Sequence, residues 1–323
     1  MEIKIFVSKD WKDYELLDTG NGEKLEKFGP YTFVRPYENA VWGKTLSAGE
    51  WAKADGKFWS SKEGAKAGWK MRSEIEEKWE MSYKNIKFLA KPTPFRHLSF
   101  FPEQASHWDF IEQKIKEANL ARNFLETAPS EAKGQGTHTF LKNPLPDSPL
   151  PKIKFLNLFG YTGVASLFAL RAGAEVTHLD ASKQSLAWAK ENQKLSGLED
   201  LPMRIIEDDV LKFLEREAKR GNKYDAIIMD PPKFGRGPKG EVWKIEEMLP
   251  KLLSSVKNIL SHKPLFVILT SYAVDSSSLP LGYALKETMK DFTGNIEVGE
   301  MCILEKSNGR LISLANTAVW SIM

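Results

Sequence analysis

Five consecutive residues, Asp230, Pro231, Pro232, Lys233 and Phe234, stand out because the apolar segment YDAIIM runs straight into them. Proline has no backbone N–H and a fixed φ angle, so two prolines in a row end the predicted strand abruptly. The stiffened backbone holds a carboxylate on one side and an aromatic ring on the other. The stretch predicts either chemistry at the end of a strand or a simple strand stop.

A glycine-containing turn, FGYTG, follows an earlier apolar segment and includes Gly160 and Gly163. Glycines let a backbone turn tightly and approach a ligand, and the next helix points its first amides at the same place. The spacing is not GxGxxG and no GK[ST] follows, so a nicotinamide cofactor and a phosphate-binding P-loop are both poor fits. The turn predicts another kind of ligand site, and an ordinary strand-to-helix turn is the alternative.

Acidic residues follow the next two predicted strands. Asp180 lies seventeen residues beyond Gly163, where an acid can accept hydrogen bonds from ribose hydroxyls. After the following strand come Asp208, Asp209 and Val210, where a carboxylate and a backbone amide would suit an adenine edge. A helix N-cap is the alternative at both places, for Asp180 the cap of a helix that starts at Ser182. Such features at three successive strand ends favour an adenosine-containing ligand.

Only a parallel sheet brings these residues together. After residue 152 the sequence alternates apolar strands with amphipathic helices, which predicts an α/β fold with a doubly wound, mostly parallel sheet. Ligands bind such sheets at the carboxyl ends of the strands, near the point where strand order reverses. Two last runs, IEVGEMCIL and RLISLANTAVW, are joined by KSNG and predict a terminal antiparallel hairpin.

The region before this alternation differs in character. Residues 1 to about 95 contain short stretches such as YTFVRPY and GKFWSS, which predict a small β-rich domain. A helix is predicted from Phe101 to Ala128, and the Pro-, Gly- and Ser-rich stretch from Pro129 to Pro151 is expected to be a flexible connector or a lid. We therefore expect two domains, residues 1–95 and 96–323.

Composition limits the possible partners. The net charge of +3 demands no polyanionic partner. The only cysteine, Cys302, excludes an internal disulfide framework and a thiolate zinc cluster, and it fits a reducing cytoplasm. The five histidines lack metal-ligand spacing, so no metal is expected. No segment approaches 18 apolar residues, so neither a signal peptide nor a membrane span is expected, and the predicted location is cytoplasmic.

In this order, NLFGYTG, LDAS, EDDV and DPPKF resemble the motifs of class I S-adenosylmethionine-dependent methyltransferases. With the upstream FPEQASHW, the sequence resembles more narrowly the bacterial 23S ribosomal RNA methyltransferase-like family, over about residues 95 to 320. This resemblance implies a seven-stranded, Rossmann-like core whose last pair of strands is antiparallel. It also implies S-adenosylmethionine as the cofactor and RNA, first of all ribosomal RNA, as the substrate.

The resemblance assigns roles to individual residues. The implied cofactor-binding residues are Gln104, Phe159, Gly160, Tyr161, Thr162, Gly163, Asp180, Ala181, Asp209, Val210 and Asp230. As in amine methyltransferases, Asp230 and the carbonyls of Pro231 and Pro232 would accept hydrogen bonds from an exocyclic amine while Phe234 stacks on the base. The basic residues Lys233, Arg236 and Lys239 would hold phosphates, or they form a solvated basic loop.

The position of the only cysteine bears on which atom of the base is methylated. Methylation of cytosine C5 needs a thiolate that adds to C6, but no cysteine follows DPPKF in the next strand, and Cys302 suits a core thiol better. The sequence therefore favours a nitrogen nucleophile and no covalent enzyme intermediate, with cytosine C5 as an alternative. A methyltransferase of proteins or small molecules is a further alternative, and a non-catalytic RNA-binding protein that retains the fold is another.

The N-terminal region adds a hint about RNA. Residues 52–72 carry a local charge of +4 interleaved with Phe58, Trp59 and Trp69. Charge combined with stacking is typical of an RNA-binding surface. Core tryptophans separated by solvated lysines are the alternative.

Overall fold

The structure is a computed structural model that describes residues 2–60, 67–72, 74–127, 152–272 and 277–322. The predicted connector from Pro129 to Pro151 lies outside the described residues, as do Lys62 and Lys66 of the basic N-terminal stretch. None of the helices in these ranges is both long and apolar enough to cross a membrane.

The N-terminal region forms β-structure, as predicted. A five-stranded sheet runs in the order β2-β3-β4-β5-β6, and β7 and β8 form a hairpin beside it. The strands are β2 (Tyr14–Gly20), β3 (Glu23–Phe28), β4 (Tyr31–Pro36), β5 (Gly56–Ser60), β6 (Ala67–Met71), β7 (Trp79–Tyr83) and β8 (Ile86–Ala90), with the short helix α1 (Ala48–Trp51) between β4 and β5. Phe58 is buried, Trp69 is partly buried and donates to the Thr93 carbonyl at 2.7 Å, and Trp59 is exposed. Most of the aromatic stretch is therefore core.

The main sheet is mostly parallel, in the order β1-β16-β17-β15-β12-β9-β10-β11. Its strands are β1 (Ile3–Ser8), β9 (Lys154–Leu158), β10 (Glu175–Asp180), β11 (Met203–Glu207), β12 (Ala226–Met229), β15 (Phe266–Ser271), β16 (Asn295–Leu304) and β17 (Leu311–Ser321). Strand β17 runs antiparallel to both β15 and β16, which confirms the terminal hairpin. The strand order reverses at β9, between β10 and β12, which creates a binding crevice at the carboxyl ends of these strands.

An eighth strand extends the predicted seven. The first residues of the chain form β1, which pairs in parallel with β16. At Gly299 an added Cβ would overlap the Lys4 carbonyl. The missing side chain therefore lets β1 cover what would otherwise be the open edge of the sheet.

Helices cover both faces of this sheet. They are α2 (Ala105–Thr127), α3 (Val164–Arg171), α4 (Lys183–Leu195), α5 (Val210–Lys219), α6 (Ile245–Lys257) and α7 (Leu279–Thr288). Residues of α2 and α3 share one apolar core with the N-terminal region, whereas α5, α6 and α7 pack in a second core. The helix predicted from Phe101 begins as a 3₁₀ turn, Pro102–Gln104, before α2.

A short hairpin that the sequence did not predict follows the two prolines. Strands β13 (Phe234–Arg236) and β14 (Val242–Lys244) pair in antiparallel fashion. The stretch predicted as a basic loop is therefore partly regular, and it carries residues on two opposite faces.

Candidate active site

A cavity of about 940 Å³ opens at the carboxyl ends of β9, β10 and β12. Its sheet side contains Phe159, Tyr161, Asp180, Ala181, Asp209, Val210 and Asp230. The opposite side comes from the N-terminal sheet and from residues 93–103. A smaller adjoining pocket of about 60 Å³ is lined by Gln104, Gly160, Thr162 and Gly163. The structure thus brings the predicted cofactor-binding residues to one place.

The glycine turn adopts a conformation that few sequences tolerate. Phe159 (φ 58°), Tyr161 (φ 51°) and Gly163 (φ 85°) all have left-handed backbones, which cost free energy at non-glycine residues. An added Cβ on Gly160 would overlap the ring of His178. Only glycine fits there, and such local strain is typical of ligand-binding turns.

His178 supports this turn from inside the protein, a role that the sequence did not reveal. Its Nδ1 lies 3.0 Å from the Ser166 hydroxyl, and its Nε2 lies 3.3 Å from the Tyr161 carbonyl. Burial lowers the pKa of His178 to about 4, so the ring is neutral. A histidine in an apolar strand gave no signal, because the glycine that it contacts precedes it by eighteen positions.

Asp180 is fixed by backbone amides. Its Oδ2 accepts from the Tyr161 amide and its Oδ1 from the Ser182 amide, both at 2.8 Å. The side chain of Ser182, and not that of Asp180, caps α4. Each carboxylate oxygen retains a further lone pair, so the carboxylate can still accept hydrogen bonds from a diol.

The acids after β11 have structural partners. Asp209 caps α5 by accepting from the Lys212 amide at 3.0 Å, so the N-cap alternative is correct for this residue. Asp208 pairs with Arg216. Asp209 and the buried Val210 nevertheless line the cavity. Any adenine contact by Asp209 would use the oxygen that the cap leaves available.

Asp230 and Gln104 form a buried polar pair. The Gln104 amide donates to Asp230 Oδ2 at 3.1 Å and to the Tyr272 hydroxyl at 3.3 Å. Asp230 Oδ1 and Gln104 Oε1 are buried without a hydrogen-bond partner among the described residues. Burial, assisted by the neighbouring Glu103, raises the pKa of Asp230 to about 7. Buried acceptors without donors are rare in folded proteins, and a ligand that supplies two N–H groups would satisfy both.

The surroundings of Pro232 and Phe234 bear on the roles expected of them, which stay predictions. The Pro232 carbonyl accepts from the Trp243 indole N–H at 2.7 Å, which leaves one lone pair of its oxygen for a further donor. The Phe234 side chain is 57% exposed and does not line the cavity. Phe234 lies on the hairpin face opposite to that of Trp243, and it shares this face with Arg236, which does line the cavity. Trp243 contacts Phe159 instead, with ring centroids 5.0 Å apart.

The three basic residues of the hairpin region differ in their position relative to the cavity. Lys233 and Arg236 line the cavity, whereas Lys239 does not. The backbone amide of Lys239 binds the Glu241 carboxylate at 2.9 Å in the turn. Lys233 and Arg236 are therefore the better candidates for phosphate contacts.

The N-terminal sheet brings charged residues to the cavity that the sequence did not single out. Glu26 accepts from Arg35 at 2.6 and 2.7 Å and from the Tyr14 hydroxyl at 2.9 Å, and Lys24 lies 3.2 Å away. Lys24 and Arg35 line the cavity together with Glu103. Lys24 on β3 and Arg35 on β4 are paired across the two strands, and no local pattern in the sequence reports that this charged pair is buried.

Two further expectations from the sequence concern the role of Cys302 and a metal site. Cys302 is buried in β16, and burial raises the pKa of its thiol to about 11. A thiol of this kind is a poor nucleophile. Within the described ranges, no group of three His, Cys, Asp or Glu side chains is placed to hold a metal ion.

A switch-point cavity with a strained glycine turn and acids at successive strand ends defines an α/β nucleotide-binding protein. The family model "Conserved hypothetical protein 95" matches residues 140–268. Over its whole length the chain is similar to the crystal structure of a SAM-dependent methyltransferase from Agrobacterium tumefaciens, with 38% identity, a TM-score of 0.84, and coverage of 99% of this chain and 94% of that one. The chain therefore belongs to the S-adenosylmethionine-dependent methyltransferases.

Other relatives match only parts of the sequence or only the fold. Ribosomal RNA large subunit methyltransferase K of Neisseria meningitidis is 31% identical over 142 residues, which are 42% of this chain and 40% of that protein. Ribosomal RNA large subunit methyltransferase I of Aeromonas salmonicida is 42% identical over 82 residues, 25% of this chain and 21% of that protein. The chain thus spans less than half the length of these relatives. A SAM-dependent methyltransferase from Streptococcus mutans shares the fold at 13% identity, with a TM-score of 0.68 and coverage of 97% of this chain and 76% of that one.

Proposed function

We propose that this protein methylates a nitrogen atom of a base in large-subunit ribosomal RNA, without a covalent enzyme intermediate. The observation that carries the proposal is the buried pair Asp230 and Gln104, whose two unpaired oxygens await N–H donors beside the cavity. An amine that is about to be methylated supplies such donors.

The sheet side of the cavity fits the cofactor. The diol of a ribose suits the remaining lone pairs of Asp180, and the turn around Gly160 lines the adjoining pocket, where its backbone would contact the ligand. Phe159, Tyr161, Ala181 and Val210 would surround the nucleoside, and Thr162 fixes the turn by donating to the Ser99 carbonyl at 2.6 Å. When bound, S-adenosylmethionine supplies an electrophilic methyl group on its sulfonium sulfur.

Residues of the chain would act mainly by positioning the nucleophile. The carboxylate of Asp230 accepts one N–H of the amine and Gln104 Oε1 accepts another, which directs the nitrogen lone pair. Asp230 is also placed to take the proton that the methylated nitrogen releases, because its pKa of about 7 lies near physiological pH.

Two considerations favour RNA as the substrate. The partial relatives are named for ribosomal RNA, and Lys233 and Arg236 place cations at the rim of the cavity, where phosphates would pass. A ribosomal RNA substrate also places the protein in the cytoplasm. The buried Cys302 argues against cytosine C5. A protein or small molecule as acceptor remains the second candidate because the net charge is only +3.

Calorimetry tests the cofactor site. The unmodified protein is expected to bind S-adenosylmethionine, and Asp180→Ala is expected to weaken binding strongly because both ribose hydrogen bonds are lost. Asp200→Ala, at an exposed acid after α4, serves as the matched control and should bind normally. Absence of binding to the unmodified protein would refute the enzymatic proposal.

The substrate is tested by mapping methylated nucleotides in ribosomal RNA from cells with and without the gene. We expect one modified base to lose its methyl group in the deletion strain and to regain it on complementation. Complementation with Asp230→Ala should fail. An unchanged RNA methylation profile would redirect the proposal to a protein or small-molecule acceptor.

A further inference from the structure

The cavity has a second wall, opposite the residues proposed to bind the cofactor, and this wall has no role yet. It is formed by residues from β3 and β4 and by the segment 93–103. A volume of about 940 Å³ lies at the upper end of the range for a single small-molecule site, which suits a site that a cofactor and an acceptor share. If the cofactor occupies the sheet side, the acceptor must lie against the N-terminal wall.

Aromatic rings line this wall in a continuous row. The centroid of Phe101 lies 4.9 Å from that of His97 and 4.8 Å from that of Tyr272, and all three residues line the cavity. Burial and the nearby Arg35 lower the pKa of His97 to about 3, so its ring is uncharged at neutral pH. Neutral flat rings suit stacking on a base better than contact with a phosphate.

The row leads to the polar pair at the reaction centre. The Tyr272 hydroxyl accepts from the Gln104 amide at 3.3 Å, and the same amide donates to Asp230 at 3.1 Å. A base that lies against the row therefore has its edge next to the unpaired oxygens of Gln104 and Asp230. At the other end, Phe95 is 72% exposed and marks the mouth of the cavity.

The hairpin offers no comparable surface inside the cavity. The Phe234 ring lies outside the cavity lining, on the same hairpin face as Arg236 and Val242. Arg236 is the residue of that face that lines the cavity, and it supplies a cation and not a ring.

We propose that His97 and Phe101 form the platform on which the acceptor base stacks, with Tyr272 at its inner end and Phe95 and Arg96 at its mouth. This inference rests on the proposed function and extends it, because it assigns base recognition to the N-terminal wall. Enzymes that modify bases take them out of their stack into such a pocket. The base enters with its amine toward Asp230, and the neighbouring nucleotide contacts the exposed mouth.

The test compares His97→Ala and Phe101→Leu with Phe234→Ala as the matched aromatic control. Methyl transfer from tritiated S-adenosylmethionine is measured on large-subunit ribosomal RNA from cells that lack the gene, and calorimetry gives the cofactor affinity of each variant.

Each platform variant should lose roughly 5- to 150-fold in kcat/KM for RNA, the effect of one stacked base. Cofactor affinity should stay unchanged, and Phe234→Ala should retain activity. Both platform residues are partly exposed, so folding should survive, and Phe101→Tyr should rescue transfer by restoring a ring.

Two results would overturn the inference in distinguishable ways. Loss of transfer in Phe234→Ala with normal platform variants would move the base to the hairpin and leave the proposed function intact. If the unmodified protein binds the cofactor but transfers no methyl group to the RNA, the proposed function fails and the platform fails with it.

Discussion

The surroundings of the Asp230 carboxyl group disfavour its ionised form. Burial raises its pKa to about 7, and the coulombic effect of Glu103 contributes. Glu103 itself faces Lys24 and Arg35 and hydrogen-bonds Tyr272. These groups connect the proposed reaction centre to the charged cluster of the N-terminal sheet. A carboxyl group tuned in this way can bind an amine and then accept its proton near neutral pH.

Removing the second acid should therefore move the pH dependence of the reaction. In Glu103→Gln the repulsion that raises the Asp230 pKa disappears, so Asp230 ionises at lower pH. Because the ionised form is the active one, the acid limb of the kcat/KM profile should shift from about pH 7 to lower pH. Glu38→Gln, an exposed acid on the same wall, should leave the limb in place. An acid limb that stays at the same pH or moves to higher pH in Glu103→Gln contradicts this account.

Gly160 offers a second test at a single position. A Cβ at residue 160 would overlap the His178 ring, so Gly160→Ala should destabilise the protein by about 1–3 kcal/mol, as overpacking does, and should weaken cofactor binding. Urea unfolding and calorimetry measure the two effects. Gly43→Ala, where an added Cβ meets no atom within 4 Å, is the control. The double variant Gly160→Ala/His178→Ala should regain much of the stability, and failure to do so would show that the clash is not the cause.

The sequence revealed those site residues whose position depends only on their place at the end of a strand. Asp180 ends β10 and Gly160 lies two residues beyond the end of β9. The carboxyl ends of parallel strands meet at one edge, so the proximity of these residues followed from the pattern of strands. His178, Trp243 and Glu103 were missed because their contacts depend on packing between distant segments. The position of Phe234 outside the cavity lining did not follow from the sequence either, since no local signal announced the β13–β14 hairpin. Its stacking role stays a prediction.

At the scale of elements, the β13–β14 hairpin separates two environments. Its inner face carries Trp243, which contacts Phe159 and fixes the Pro232 carbonyl. Its outer face carries Phe234 and the 48%-exposed Val242. The hairpin thus stabilises the wall of the cavity next to the strained turn.

Changing one residue on each face tests this division. Trp243→Ala should weaken binding of S-adenosylmethionine by at least roughly fivefold, because an aromatic pair contributes about 1 kcal/mol. Val242→Ala, one position away on the outer face, should bind the cofactor as the unmodified protein does. Calorimetry on both variants decides the matter. Equal losses in the two would mean that the hairpin acts only through its overall stability.

Most elements of the main sheet were predictable, and the exception is instructive. Buried parallel strands are continuous apolar runs, so β9, β12 and β15 were evident from composition. Strand β1 was not assigned to the main sheet, because a strand at one end of the chain gives no sign of which edge it joins. Its place beside β16 depends on Gly299, whose missing side chain admits the Lys4 carbonyl.

At the scale of the whole molecule, the N-terminal sheet is fastened to the methyltransferase core. Thr19 donates to Glu305 at 2.6 Å, and the Lys306 amide donates to the Leu16 carbonyl at 2.9 Å. The carboxylate of Asp18 also accepts from Ser307 at 2.6 Å. These contacts hold the second wall of the cavity against the sheet. Whether residues 1–95 fold as a separate domain, as the sequence suggests, stays a prediction.

Two buried acids affect the stability of this assembly in opposite directions. Despite burial, its cationic partners Arg35 and Lys24 lower the pKa of Glu26 from 4.5 to about 2, so its contribution is present above pH 4.5 and is lost as the pH falls toward 2. Asp230 has a pKa raised from 3.8 to about 7. Its stabilising contribution is therefore complete below pH 3.8 and is lost as the pH rises through 7. Well above pH 4.5, only the second of these two effects still changes.

Replacing Asp230 by asparagine should accordingly make the protein more stable at alkaline pH while it abolishes methyl transfer. Asparagine keeps the shape and cannot ionise, so the difference in unfolding free energy between Asp230→Asn and the unmodified protein should grow from pH 4 to pH 8. Urea unfolding at several pH values within this window measures the difference, in which the titration of Glu26 cancels because both proteins contain it. A difference that is constant with pH would show that Asp230 titrates normally. Growth of the difference would mean that the protein gives up stability to keep a poised carboxylate at its reaction centre.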